Sequence, residues 1–177
     1  MHELELGWIR WIHEFRNPIF DEFFKLLNHL DTFPFFAILV PIIGLFYGWR
    51  VGLKLLLILL VSRFVNYELK HFFESPRPFN LDPSVGLIHV GGFGFPSGAA
   101  QTAALLSGLL IIYWKNKWRL VVGITFFILI SFSRVYLGVH FPSDILGGWA
   151  VGFLLLRCVV AFMRYFERFA CRKGKDL

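Results

Sequence analysis

Long apolar runs bounded by charge constrain this chain more than any other feature. Five of them recur: about Phe33 to Tyr47, Val51 to Phe73, Ser97 to Trp114, Trp118 to Val135, and Pro142 to about Arg168. A hydrocarbon core ~30 Å thick needs about 20 helical residues at ~1.5 Å each, and runs near that length recur here. Only helices and closed barrels satisfy their backbone groups in lipid, and nothing here alternates with a strand's period of two. The expectation is all-α: a polytopic transmembrane helix bundle of five or six spans with an N-terminal amphipathic helix. Composition agrees, since 56% of the 177 residues are hydrophobic and 22 are Phe, against about 45–50% apolar residues in soluble domains.

Residues 1–177 read as a single membrane-embedded domain. His2 to Phe15 interleaves Leu4, Trp8, Ile9, Trp11, Ile12 and Phe15 with charge, which suits an amphipathic helix at a membrane surface. It has no signal-peptide pattern, because three Glu interrupt it. Asn17-Pro18 breaks the helix. Pro18 to Leu30 carries Asp21, Glu22, Lys25 and His29, and reads as either a marginal span or an interfacial helix. Glu74 to Pro96 is the only long polar connection, rich in Pro and Gly. Arg50 and Lys54, the turn Lys115/Lys117/Arg119, and the tail Arg172-Lys173-Gly174-Lys175 fall at alternate span ends, as cytoplasmic charges do. Lys70, Arg77, Ser97, Arg134, His140 and Asp144 then collect on the outer face. The net charge of +6 is spread over loops and helix ends, so it reads as membrane orientation and not as a nucleic-acid patch.

Charge close to hydrocarbon marks function. Ser133 to Asp144 places Arg134, His140 and Asp144 within twelve residues between two apolar runs. Lys70 and Arg77-Pro78 flank the start of the long loop, and Phe95-Pro96-Ser97-Gly98 opens the following helix. Arg77 and Arg134 offer forked hydrogen bonds to a phosphate dianion and Lys70 a point charge. Ser97 suits a helix cap, whose free N–H groups attract an anion, and Gly98 permits close approach. His140 and Asp144 are four apart, so the carboxylate can orient the imidazole. Neutral His140 is then the candidate nucleophile and Arg134 the group that holds the phosphate oxygens. There is no acidic cluster of Mg²⁺-binding type, and no cofactor or metal is expected.

Three spaced motifs carry a family resemblance. Lys70, six intervening residues and Arg77-Pro78; then Pro96-Ser97-Gly98; then Ser133-Arg134, five residues, His140, three residues and Asp144. In order and spacing these resemble the signatures of the type 2 phosphatidic-acid phosphatase family of membrane lipid phosphatases. The likeness covers about 70–149. It implies metal-independent hydrolysis of a lipid phosphate at the outer face of a membrane, through a phosphohistidine at His140. The implied location is a bacterial inner membrane, with the site facing the periplasm or exterior. Implied substrates are undecaprenyl diphosphate, phosphatidylglycerol phosphate, phosphatidic acid and lipid A phosphates, the first favoured. A phosphotransferase using the same intermediate and a catalytically silent phospholipid-binding relative are the alternatives.

One position departs from the pattern. By the resemblance, a second histidine protonates the leaving oxygen where this chain has Ala99. General acid catalysis contributes about 10²–10⁴-fold, so the change favours a diphosphate, whose leaving group needs little protonation. His89 and His71 are the histidines considered as substitutes. Arg63, Asn66 and Lys70 form a polar stripe at helical spacing, expected to be a buried network. Gly148 and Gly152 read as helix-packing positions. Cys158 and Cys171 are about 20 Å apart on one helix, too far for a disulfide.

Overall fold

The computed structural model describes residues 2–173, all of whose regular structure is helical. Eight α-helices follow in order: α1 His2–His13, α2 Pro18–Asn28, α3 Phe33–Tyr47, α4 Trp49–Phe73, α5 Pro78–Leu81, α6 Gly98–Tyr113, α7 Arg119–Tyr136 and α8 Pro142–Lys173. Their starts are written in local chemistry. Asn17 accepts from the Phe20 N–H at 2.9 Å, with Pro18 behind it, and so begins α2. The Ser97 hydroxyl accepts from Ala100 N–H at 3.4 Å at the head of α6. Glu74, with φ 46°, ends α4 in the left-handed region. Gly138 adopts φ +66° where a Cβ would lie 1.8 Å from the Val85 carbonyl oxygen, so only glycine lets the 137–141 turn pass under the long loop.

α6 is the axis of the bundle. Ala99, Ala100, Ala103 and Ala104 are all buried, which lets α8 and α7 come close. A Cβ on Gly148 would lie 2.5 Å from the Ser97 carbonyl oxygen, and one on Gly152 would lie 2.5 Å from that of Gln101. Both glycines therefore serve helix packing, as their spacing predicts. Large apolar side chains such as Phe33, Leu45, Leu60, Phe64, Ile128 and Leu154 face outward. Outward apolar faces on several long helices are the mark of an integral membrane protein.

By length and composition, α7 and α8 are apolar enough to cross a membrane, and α2 with α3 makes a third candidate if the pair, bent by 59°, is one span. α4 has 25 residues but carries Arg50, Lys54, Arg63, Glu68 and Lys70, and α6 has only 16 residues.

The polar stripe differs from expectation. Arg63 is exposed and stands outside the buried network. Ser62 and Asn66 of α4 instead meet Gln101 of α6: Gln101 Nε2 donates to the Ser62 carbonyl at 2.7 Å and hydroxyl at 2.9 Å, and Asn66 Nδ2 donates to Gln101 Oε1 at 2.9 Å. The helix rotation that buries positions 62 and 66 turns 63 outward. Cys158 is exposed and free, while the Cys171 side chain and residues 174 and 175 lie outside the described residues.

Residues 2–31 wrap around one end of the bundle. Leu6 and Ile9 of α1 are buried against Val85, Phe141 and Ile145. Glu5, only 7% exposed, accepts from Ser143 N–H at 2.7 Å and from its hydroxyl at 3.1 Å, at the head of α8. His13 Nε2 lies 2.8 Å from the Tyr136 carbonyl oxygen and donates to it. α2 then runs along α7: Tyr136 donates its hydroxyl proton to Asp21 at 2.7 Å, and the Phe24 ring sits 4.2 Å from that of Tyr136.

Candidate active site

Four segments converge beneath this collar: the end of α4, the loop 74–97, the end of α7 and the head of α8. His140 is buried at their meeting point. Its Nδ1 lies 3.2 Å from Asp144 Oδ2, and its Nε2 lies 3.3 Å from Arg77 Nη1. Since a guanidinium only donates, Nε2 is the acceptor, and the proton sits on Nδ1, donated to Asp144. The same Asp144 oxygen accepts from Phe141 N–H at 2.9 Å, which locks the carboxylate. The Asp144 carbonyl accepts from Ser97 N–H at 3.0 Å and so joins the heads of α6 and α8.

Burial, and then the charges of Arg77, Lys70 and Arg134, hold His140 well below the usual imidazole range. It is therefore neutral at pH 7, with its Nε2 lone pair directed at Arg77. Burial likewise lowers the Arg77 guanidinium to about 10, so it stays charged.

The three cations differ in how firmly they are held. Lys70 Nζ donates to the carbonyls of Phe93 and, at 2.9 Å, of Gly94. Arg77 donates from Nε to Gly92 at 2.8 Å, from Nη2 to Gly91 at 3.0 Å and from Nη1 to Val139 at 2.9 Å. Both thereby pin the glycine-rich loop over the site. Arg134 is anchored by Nε to the Ser133 hydroxyl at 3.2 Å and by Nη1 to Asn28 Oδ1 at 2.6 Å. Its Nη2 is buried with no partner, so Arg134 keeps the most open hydrogen-bonding capacity for an anion.

All the predicted site residues fall in this region. Ser97 is fully buried as the cap of α6. At Gly98, a Cβ would lie 2.9 Å from Asn66 Oδ1, so the missing side chain makes room for α4. Ala99 is 3% exposed in an apolar cluster with Ala103 and Ile130, onto which Leu27 and Leu30 pack. His89 is exposed and stacks on Phe79, and exposed His71 packs against Tyr67 and Phe93. Neither makes a contact within the His140 cluster. Among the described residues no group of three His, Cys, Asp or Glu is placed to hold a metal ion.

Sequence reasoning missed Asn28, Asp31, Glu5 and Gln101. The only signal for the first two was their place at the end of the charged, marginally apolar stretch from Pro18. Nothing local says that Asn28 meets a side chain 106 positions away.

Three comparisons bear on this fold. The PAP2 superfamily matches residues 51–168, and the chain belongs to that superfamily. Phosphatidylglycerophosphatase B of Bacillus subtilis is 34% identical over 87% of this chain and 80% of its own length. An undecaprenyl-diphosphatase of Sulfolobus acidocaldarius is 26% identical over 74% of this chain and 72% of its own. The crystal structure of a transmembrane PAP2-type phosphatidylglycerolphosphate phosphatase from Bacillus subtilis superposes with a TM-score of 0.83 at 30% identity, covering 94% of this chain and 88% of that one.

Proposed function

We propose that this protein hydrolyses a lipid phosphate, with His140 as nucleophile. The observation that carries the reading is the tautomer. Asp144 accepts a hydrogen bond from Nδ1–H, and the Nε2 lone pair faces Arg77, in the field of Lys70 and Arg134, where a phosphate would be attracted. The relatives named for phosphatidylglycerophosphate and undecaprenyl diphosphate hydrolysis support the substrate class.

In the first step Nε2 attacks phosphorus and the lipid oxygen leaves. The resulting phosphohistidine is an imidazolium, and Asp144 balances its charge through Nδ1–H. Arg134, with open N–H groups, takes the equatorial oxygens; Arg77 releases Nε2 and adds its own charge; Lys70 supplies a third. Ser97 and Gly98 place the head of α6 beside the same anion. Water then attacks the phosphohistidine, and inorganic phosphate leaves.

The chain acts as one membrane-embedded domain, with α2 and α3 as one broken span and α4, α6, α7 and α8 as the others. α1 lies as an amphipathic helix at the outer surface, and the site faces outward from a bacterial inner membrane. Its lipid arrives from the bilayer. An apolar groove of about 370 Å³ between α2 and α7, lined by residues that include Leu27, Leu30, Phe126 and Ile130, supports that route. Undecaprenyl diphosphate is the favoured substrate because Ala99 supplies no acid and a departing lipid phosphate needs little protonation.

The test presents purified protein in detergent with undecaprenyl diphosphate, phosphatidylglycerol phosphate, phosphatidic acid and lipid A phosphate. Phosphate release is expected from at least the diphosphate and is abolished by His140→Ala. Turnover retained in that variant would contradict the reading, and transfer to an added alcohol in place of water would mark a phosphotransferase.

A further inference from the structure

Expelling an alcohol from phosphorus needs a proton, and most groups around His140 are unsuited to give one. Asp144 is committed to His140 and to Phe141 N–H. Lys70 is held on two carbonyls, and guanidinium groups are too weakly acidic. Position 99 is an alanine in an apolar cluster. Glu5 is occupied by the Ser143 N–H and hydroxyl, so one carboxyl remains. Asp31 closes the 3-10 turn His29–Asp31 between α2 and α3. Its Oδ1 is buried without a hydrogen-bond partner, as is Arg134 Nη2.

The turn is fixed on both sides. Asn28 holds Arg134 at 2.6 Å, and Leu30 packs on the cluster around Ala99. Arg134 and Lys70 are the two cations whose charge acts on both Asp31 and His140. The groove between α2 and α7 shares Leu27, Leu30 and Ile130 with the Ala99 cluster, so a lipid chain lying there ends beside this turn.

We propose that Asp31 is the proton donor to the leaving lipid oxygen, and the base for the water that follows. The inference rests on the phosphatase reading above and extends it to phosphomonoester lipids, whose leaving alkoxide, unlike the lipid phosphate released from a diphosphate, needs that proton. Beside a bound phosphate dianion the carboxyl keeps its proton, because two anions in one buried site repel. His140 Nε2 forms the N–P bond as the P–O(lipid) bond breaks. The electron pair goes to the lipid oxygen, which takes the proton of Asp31. In the second step the Asp31 carboxylate removes a proton from water. The water oxygen bonds to phosphorus, the N–P bond breaks, and neutral His140 and protonated Asp31 are restored. Atoms and charge balance without a co-reactant.

The experiment compares a leaving group that needs a proton with one that does not. Phosphatidic acid and p-nitrophenyl phosphate are each turned over by the parent, by Asp31→Asn and by Asp31→Asn combined with Ala99→His. The ratio of kcat/KM for the two substrates is taken within one preparation, so any loss of folded enzyme cancels. Asp31→Asn is expected to lower the alkyl-to-aryl ratio by about 100-fold, within the range of general acid catalysis. The added imidazole is expected to raise it again. A ratio within about threefold of the parent's would overturn the proposal, since a residue that only positions Arg134 slows both substrates alike. Undecaprenyl diphosphate is included as a reference: a parent that hydrolyses it but not phosphatidic acid has no working acid for an alkoxide and overturns the proposal, whereas a parent that hydrolyses none of the three fails the phosphatase reading itself.

Discussion

At His140 and Arg134, burial gives ordinary side chains the properties that the proposed phosphate transfer requires. The imidazole is kept neutral by its dry surroundings and by three cations. A group whose protonation is disfavoured in the folded protein gains its proton only at lower pH. The acid limb of kcat/KM, which reports the free enzyme, is therefore expected below the ordinary imidazole value of about 6.5. A limb at or above that value would show that His140 is not the titrating nucleophile. The linkage has the same sign for stability. The site's contribution is complete above the unfolded value near 6.5 and falls as pH drops toward the folded one. At Arg134, replacement by Lys keeps the charge but removes the fork and the anchors to Ser133 and Asn28. Arg134→Lys should cost about 2–4 kcal/mol of transition-state stabilisation, or roughly 30- to 1000-fold in kcat/KM. A change under threefold would mean that the phosphate does not engage Arg134.

At the scale of the helix, α6 and α8 carry the geometry. Their contact depends on Gly148 and Gly152, where a Cβ would collide with α6 backbone oxygens at 2.5 Å. Gly152→Val should destabilise the fold by about 1–3 kcal/mol, read as a lower unfolding temperature in detergent. Glu5 at the head of α8 has a second positioning effect. Glu5→Gln keeps the shape and removes the charge that faces the helix N-terminus, with an expected loss of about 0.5–2 kcal/mol. The helix starts at Pro18, Ser97 and Pro142 were legible in the sequence, because caps and prolines act locally. The convergence of Lys70, Arg77, Arg134, His140 and Asp144 was legible through motif spacing. Asn28 and Glu5 were not, because their partners at 134 and 143 are reached only through tertiary docking, and Asp31 was not, because the same docking buries its turn. Arg63 was misplaced for a related reason: spacing marks a polar face but does not say how far the helix is rotated about its axis.

For the whole molecule, the N-terminal collar and the bundle form one site. The superfamily match begins at residue 51, yet Glu5, His13, Asp21 and Asn28 all bond to groups between residues 134 and 143. Asn28→Ala would test that unity by removing one anchor of Arg134. It is expected to lower kcat/KM by roughly tenfold, the effect of about 1.4 kcal/mol, with little change in unfolding temperature. The account as a whole turns on whether phosphorus is transferred to His140. Rapid quenching of the purified protein with a ³²P-labelled lipid phosphate measures this most directly. An acid-labile, base-stable label on residue 140, absent from His140→Ala, is the predicted result. Turnover with the label on another residue, or undiminished turnover in His140→Ala, would contradict it.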